Sequence, residues 1–204
     1  MIKNIIFDLG NIVIQNPNID TILHFTENKE KAEKLRKAIF GSAEWKLLDK
    51  GMITYKEATQ KIQERNIEDK NLIGKIMGEW FEYQPINEET VKIAKNLKEK
   101  GHRIYVLSNM AIETYAHFQE LSFFQYCNGI MISAQEHMVK PDKEIFIRLL
   151  DKYALKAEEC LFIDDDDTYR SIEVANKIGI LGRRVEPNNP QDIIKLLEEF
   201  EIKI

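Results

Sequence analysis

The 204-residue chain is poor in the features that mark special classes of protein. It has two cysteines, Cys127 and Cys160, too few for a disulfide framework or a four-ligand zinc site. Two free thiols in a reducing compartment are expected. Five prolines and nine glycines exclude collagen-like and low-complexity chains. Basic charge is in deficit: 29 Lys and Arg against 34 Asp and Glu leave a formal charge of −5. Such a balance provides no basic stripe to displace counterions, so nucleic acid is not expected as a partner. No apolar run approaches the ~20 residues that span a bilayer. The apolar N-terminal stretch is interrupted by Asp8, which is not the shape of a signal peptide. A soluble, cytoplasmic protein without a membrane partner is expected; oligomeric state is not legible.

What is present is a rhythm. Short apolar runs (Ile5-Ile6-Phe7, Ile104 to Leu107, Ile130-Met131-Ile132 and Leu161-Phe162-Ile163) each end on a polar residue. Uninterrupted runs rich in β-branched and aromatic residues read as strands covered on both faces, as in a parallel sheet. Helical patterns lie between and after them, at about 88–100, 111–121, 142–154, 170–178 and 190–200, punctuated by Gly101, Gly179 and Pro190. This predicts an α/β, Rossmann-like doubly wound domain formed by residues 1–16 and 87–204. Residues 17–86 break the rhythm with helical windows at about 18–26, 29–40, 42–49, 54–66 and 69–82, and predict an inserted helical subdomain. Thr54 with Glu57 is a capping-box signature for one of these helices.

In open parallel sheets, ligands sit beyond the carboxyl ends of the strands. The runs here end at Asp8, Ser108, Ser133 and Asp164-Asp165, with Lys140 shortly after the third. Asp8 and the Asp164–Asp167 tract would repel if they met unpaired. A hard divalent cation removes that cost, and Mg²⁺ takes one or two carboxylates while leaving positions for phosphate oxygens. At least one of the four consecutive aspartates is expected to cap the helix that follows.

Asp8-Leu9-Gly10-Asn11, Ser108-Asn109, Lys140-Pro141 and the Asp164–Asp167 run, in this order, resemble the four motifs of the haloacid dehalogenase (HAD) superfamily. The helical block is similar to that superfamily's type 1 cap, and the first motif most resembles a branch that includes sugar-phosphate phosphatases. The resemblance spans essentially the whole chain. It implies a Mg²⁺-dependent phosphatase acting on a small phosphorylated metabolite. Asp8 would be the nucleophile, and Lys140 the cation that neutralises developing charge. Ser108, Asn109, Gly10 and Asn11 would lie at the phosphate. Asp8, the Gly10 carbonyl, Asp165 and Asp164 would surround the metal.

Two departures qualify this mapping. The family usually has a second aspartate two positions after the nucleophile, acting as general acid and base, where this chain has Gly10. Asn11 through a water, or a carboxylate or histidine of the helical block, are candidate substitutes; His24 is the block's one histidine. The fourth motif is also long by about two residues. Anchoring it on the strand selects Asp165, whereas anchoring it on the helix selects Asp167. Trp45 and Trp80 are expected as packing residues of the block, and Arg183 and Arg184 are expected to face solvent. The competing functions are a relative that binds a phosphorylated ligand without turnover, which Gly10 favours, and a haloacid dehalogenase, which the acidic tract disfavours.

Overall fold

The computed structural model describes residues 1–168 and 170–204. Its elements run in chain order: β1 (Asn4–Phe7), α1 (Ile19–Leu23), α2 (Lys29–Phe40), α3 (Ala43–Asp49), α4 (Tyr55–Arg65), α5 (Lys70–Glu79), α6 (Glu88–Glu99), β2 (Arg103–Ser108), α7 (Ile112–Phe118), β3 (Cys127–Ile132), α8 (Ser133–Glu136), α9 (Lys143–Lys152), β4 (Cys160–Asp164), α10 (Arg170–Lys177), β5 (Leu181–Arg184) and α11 (Pro190–Glu199). The strands form one five-stranded sheet in the order β3-β2-β1-β4-β5. Every pairing is parallel, with Ile5 opposite both Ile104 and Leu161. The sheet is therefore Rossmann-like, as expected, and all its strands finish at one edge. The topological switch falls at β1, between β2 and β4, which brings the residues after those strands together.

Alternation along the strands sorts the core into two layers. Ile5, Phe7, Ile104, Val106, Leu161 and Ile163 face α6 and α11, which contribute Val91, Leu97, Ile193 and Leu197. Ile6, Tyr105, Leu107, Met131 and Phe162 face α9 and α10, which contribute Ile145, Phe146, Leu149 and Ile172. A fully buried aliphatic or aromatic side chain contributes about 1.5–3 kcal/mol, so these two layers supply most of the drive to form the sheet.

The helices α1–α5 carry a third cluster of their own, centred on Ile22, Leu35, Ile39, Ile62, Ile73, Ile76 and Trp80. The capping box at α4 forms as its residues predict: the Thr54 N–H donates to Glu57 Oε2 at 2.7 Å, and the Glu57 N–H to Thr54 Oγ1 at 3.2 Å. Among the described residues no helix is long and apolar enough to cross a membrane. Both cysteines are free. The strand β4 ends at Asp164, where its apolar run stops, leaving Asp165 in the following turn, where a half-buried carboxyl costs less than within the strand. One expectation is corrected. Arg183 and Arg184 are half-buried rather than solvent-facing. Arg183 lies over the Phe200 ring at 5.4 Å, and Arg184 is bound to Glu186.

Candidate active site

Asp8 follows β1 directly, and its N–H donates to the Ile163 carbonyl at 2.9 Å. The chain then turns tightly. The Leu9 carbonyl accepts from the N–H groups of Ile12, Val13 and Ile14 at 3.2, 2.9 and 2.9 Å. Asn11 adopts a left-handed conformation with φ 52°, which asparagine tolerates better than most residues. The turn aims Asn11 at the end of β4: its Nδ2 donates to Asp165 Oδ2 at 2.8 Å, and its Oδ1 accepts from the Asn16 N–H at 2.9 Å. Asn11 is thus a holder of Asp165. It does not line the cavity at which the sequence expected it.

Lys140 is buried, and its ammonium lies 3.0 Å from Asp8 Oδ1 and 2.5 Å from Asp164 Oδ2. Its backbone is held by Asn109 from both sides: Asn109 Nδ2 donates to the Lys140 carbonyl at 2.9 Å, and the Lys140 N–H donates to Asn109 Oδ1 at 2.8 Å. The Asn109 side chain therefore places the lysine, while Ser108, at the end of β2, lines the same cavity as Asp8.

The four consecutive aspartates divide their labour. Oxygens of Asp8, Asp164 and Asp165 lie within 4.8 Å of one another. Asp166 is a turn and cap residue, accepting from the Thr168 N–H at 3.0 Å, the Thr168 hydroxyl at 2.6 Å and the Ser171 N–H at 2.7 Å. Asp167 is exposed and stands outside the cluster. Anchoring the tract on the strand thus matches the geometry, and anchoring it on the helix does not.

Electrostatics mark the cluster as strained. Burial, with Asp164 and Asp165 nearby, pushes Asp8 up to about 6 despite the opposing pull of Lys140 and Ser108. Burial likewise raises Asp165, against the hydrogen bond from Asn11. Burial disfavours the Lys140 charge, but Asp164 and Asp8 outweigh it and hold the ammonium above its ordinary value. Three carboxylates against one ammonium leave an excess of negative charge in a buried space. All the donors are oxygens, which suits a hard divalent cation.

A cavity of about 430 Å³ opens onto this cluster. Asp8, Gly10, Ser108, Asn109, Lys140 and Asp164 line it on the sheet side. The helices contribute Phe40, Trp45, Trp80 and Asp49. The two tryptophans pack on each other at 5.6 Å as expected, and in addition form part of the wall. Residue-type patterns had not marked Asp49, Thr114 or Arg170, which also line it. The Thr114 hydroxyl is buried and finds no partner among the described residues. His24 lies elsewhere, stacked on Tyr83 at 4.2 Å.

A family model described as a haloacid dehalogenase-like hydrolase matches residues 2–168. The sesquiterpene phosphatase astK of Aspergillus oryzae is 22% identical over 182 residues, covering 88% of each chain. A glyceraldehyde 3-phosphate phosphatase of Methanopyrus kandleri is 24% identical over 131 residues, covering 60% of this chain and 54% of its own. Among solved structures, the HAD family enzyme BT-2542 of Bacteroides thetaiotaomicron, in complex with magnesium and inorganic phosphate, superposes with a TM-score of 0.75 at 22% identity. That match covers 93% of this chain and 96% of the other.

Proposed function

We propose that this chain, which belongs to the haloacid dehalogenase-like hydrolases, is a magnesium-dependent phosphatase that hydrolyses a small phosphorylated metabolite through an aspartyl-phosphate on Asp8. The observation that carries the reading is the convergence of Asp8, Asp164 and Asp165, the first two bridged by Lys140 and lining a cavity of about 430 Å³. A solvated acidic loop would not bury a lysine between two carboxylates. Relatives named as phosphatases of small molecules support phosphate-ester chemistry. A cavity of that size suits a sugar phosphate or a comparably small monoester. In this reading residues 17–86 are a helical cap, and Phe40, Trp45 and Trp80 give the organic part of the substrate an apolar wall.

Each residue has a physical task. An Asp8 carboxylate oxygen attacks phosphorus, the bond to the leaving oxygen breaks, and water later cleaves the aspartyl-phosphate to restore Asp8 and release phosphate. Lys140 keeps Asp8 oriented and offsets charge growing on the phosphoryl oxygens, with Ser108 as a hydrogen-bond donor beside it. Asn109 keeps the lysine in register. Asp8, Asp165, Asp164 and the Gly10 carbonyl would hold Mg²⁺, which when bound stabilises negative charge on the phosphoryl group as a Lewis acid.

The test is phosphate release from p-nitrophenyl phosphate and a panel of phosphorylated metabolites, with Mg²⁺ or with chelator. Turnover that requires the metal and falls by roughly 10³-fold or more in Asp8→Asn is the expected result. Gly10 favours one rival, a scaffold that only binds a phosphorylated ligand. Saturable binding without release from any member of the panel would establish that rival instead.

A further inference from the structure

Gly10 leaves a gap in the proton chemistry. Protonating a leaving oxygen and activating water need an acid and a base, together worth ~10²–10⁴-fold in rate, and the nucleophile's turn offers neither. The space beside Gly10 is taken by the Asn16 amide, which a Cβ there would meet at 2.7 Å and have to displace.

A carboxyl reaches the cavity from the opposite side. Asp49 is the last residue of α3, and it lines the cavity together with Asp8, Ser108 and Lys140. Its position is set by the sheet domain and not by the helices alone. The Ser133 hydroxyl donates to the Asp49 carbonyl and accepts from the Met110 N–H at 2.9 Å. Two residues on, Gly51 has φ +66° and lies so close to the Ala134 carbonyl that a Cβ would come within 2.2 Å of it. The α3–α4 turn is therefore pressed onto α8, which follows β3 directly.

Among the described residues, no donor or cation engages the Asp49 carboxyl. Its charged neighbours around the cavity are Asp8, Lys140, Asp164, Asp166 and Arg170; Lys140 is already bound to Asp8 and Asp164, and Asp166 accepts from Thr168 and Ser171. Lys50 points to Asp142 at 4.0 Å, Glu44 of the same helix is bound by Arg65, and Glu136 of α8 by Arg148 and Lys152. His137 lies with Nδ1 3.4 Å from the Lys50 carbonyl. A carboxyl left without a partner, facing a nucleophile's cavity, is free to exchange a proton with whatever the cavity holds.

We infer that Asp49 is the general acid and base of this site, taking the place of the side chain that Gly10 lacks; the inference rests on the phosphatase reading above. As Asp8 attacks phosphorus and the phosphorus–oxygen bond breaks, protonated Asp49 gives its proton to the departing oxygen, which leaves as the alcohol. The Asp49 carboxylate then takes a proton from a water. That water attacks phosphorus, the bond to Asp8 breaks, and phosphate departs with Asp49 protonated again. Burial and the nearby Asp8 push Asp49 up to about 7, so both forms are populated near neutral pH.

The experiment compares the wild-type chain with Asp49→Asn, Asp49→Glu and Asp8→Asn, all with Mg²⁺, on aryl and alkyl phosphates of graded leaving-group acidity. The ratio kcat/KM reads the steps up to departure of the leaving group. In Asp49→Asn it should fall by roughly 10²-fold or more on alkyl phosphates and by less than about tenfold on dinitrophenyl phosphate. The same variant should release a burst of dinitrophenol followed by slow turnover, because dephosphorylation lacks its base. Asp49→Glu should recover part of the loss, and thermal melts of Asp49→Asn at or above wild type show that the fold is intact. A loss equal across the series, or none, with wild type active and Asp8→Asn inactive, overturns the assignment of Asp49 alone. Wild type inactive on every ester overturns the phosphatase reading and this inference with it.

Discussion

The helical block and the sheet edge treat the same side chain in opposite ways. In the block, the two buried carboxylates, Asp69 and Glu44, are matched with cations. Asp69 lies 2.6 Å from Lys31 and 3.6 Å from Lys34, and Glu44 is bound by both terminal nitrogens of Arg65. Both acids are held below their ordinary values, chiefly by those hydrogen bonds. At the sheet edge Asp8, Asp165 and the facing Asp49 are all held above theirs, chiefly by burial. Pairing in the block serves stability, whereas the imbalance at the edge is a cost that a proton relieves and that, on the reading proposed above, a metal would relieve as well. The difference locates function without reference to any relative.

The comparison can be broken most severely at Lys140. Lys140→Met leaves Asp8 and Asp164 buried without their cation. It should abolish turnover and lower stability by about 3–5 kcal/mol, read by chemical denaturation. A variant as stable as wild type would mean that the cluster carries little charge strain. Next in size, Asp165→Asn should weaken Mg²⁺ binding about tenfold or more by calorimetry, and Asn11→Ala should weaken it less, since it frees Asp165 without removing it. Equal affinity in all three proteins would show that the oxygens of Asp165 do not bind the metal.

Titration sharpens the contrast, because the unpaired and the paired carboxyl of α3 have opposite signs. Asp49 at about 7 lies above the ordinary 3.8 of an aspartate, so between those values the folded chain binds more protons than the unfolded one. The metal-free protein should therefore lose stability from this residue as pH rises from about 4 to 7, and Asp49→Asn should flatten that decline in Tm. Glu44 is depressed, so its contribution is present above about 4.5 and is lost as pH falls below it. The smallest effect belongs to the exposed side of such pairs. Arg65 is half exposed, and Arg65→Ala should cost about 0.5–1 kcal/mol while leaving turnover untouched. A larger loss would mean that the pair is shielded from solvent more than its exposure indicates.

The architecture was readable because its signals are local. The runs at Ile5, Ile104, Ile130 and Leu161 fall on β1 to β4, and Thr54 and Glu57 form the box that their spacing implies. Each depends on residues within a few positions of one another. The carboxylate cluster was readable because its members sit in short motifs, as in the Asp164–Asp167 tract. It was not readable where a role depends on docking. Asp49 ends an ordinary amphipathic helix, and its partner Ser133 lies 84 positions away. Asn109 gave no sign that its side chain would clamp the Lys140 backbone, nor Asn11 that it would turn away from the cavity to hold Asp165. The split of the tract into two cluster carboxylates, one cap and one exposed residue follows from where β4 stops, a boundary that an apolar run marks only to within a residue or two.

One hydroxyl, that of Ser133, joins the two halves of the molecule by gripping the Asp49 carbonyl on one side and the Met110 amide on the other. If the helices swing outward to admit a guest, this latch parts and Asp49 is carried off with them. On the reading proposed above, the site would then lack its proton donor until the helices returned.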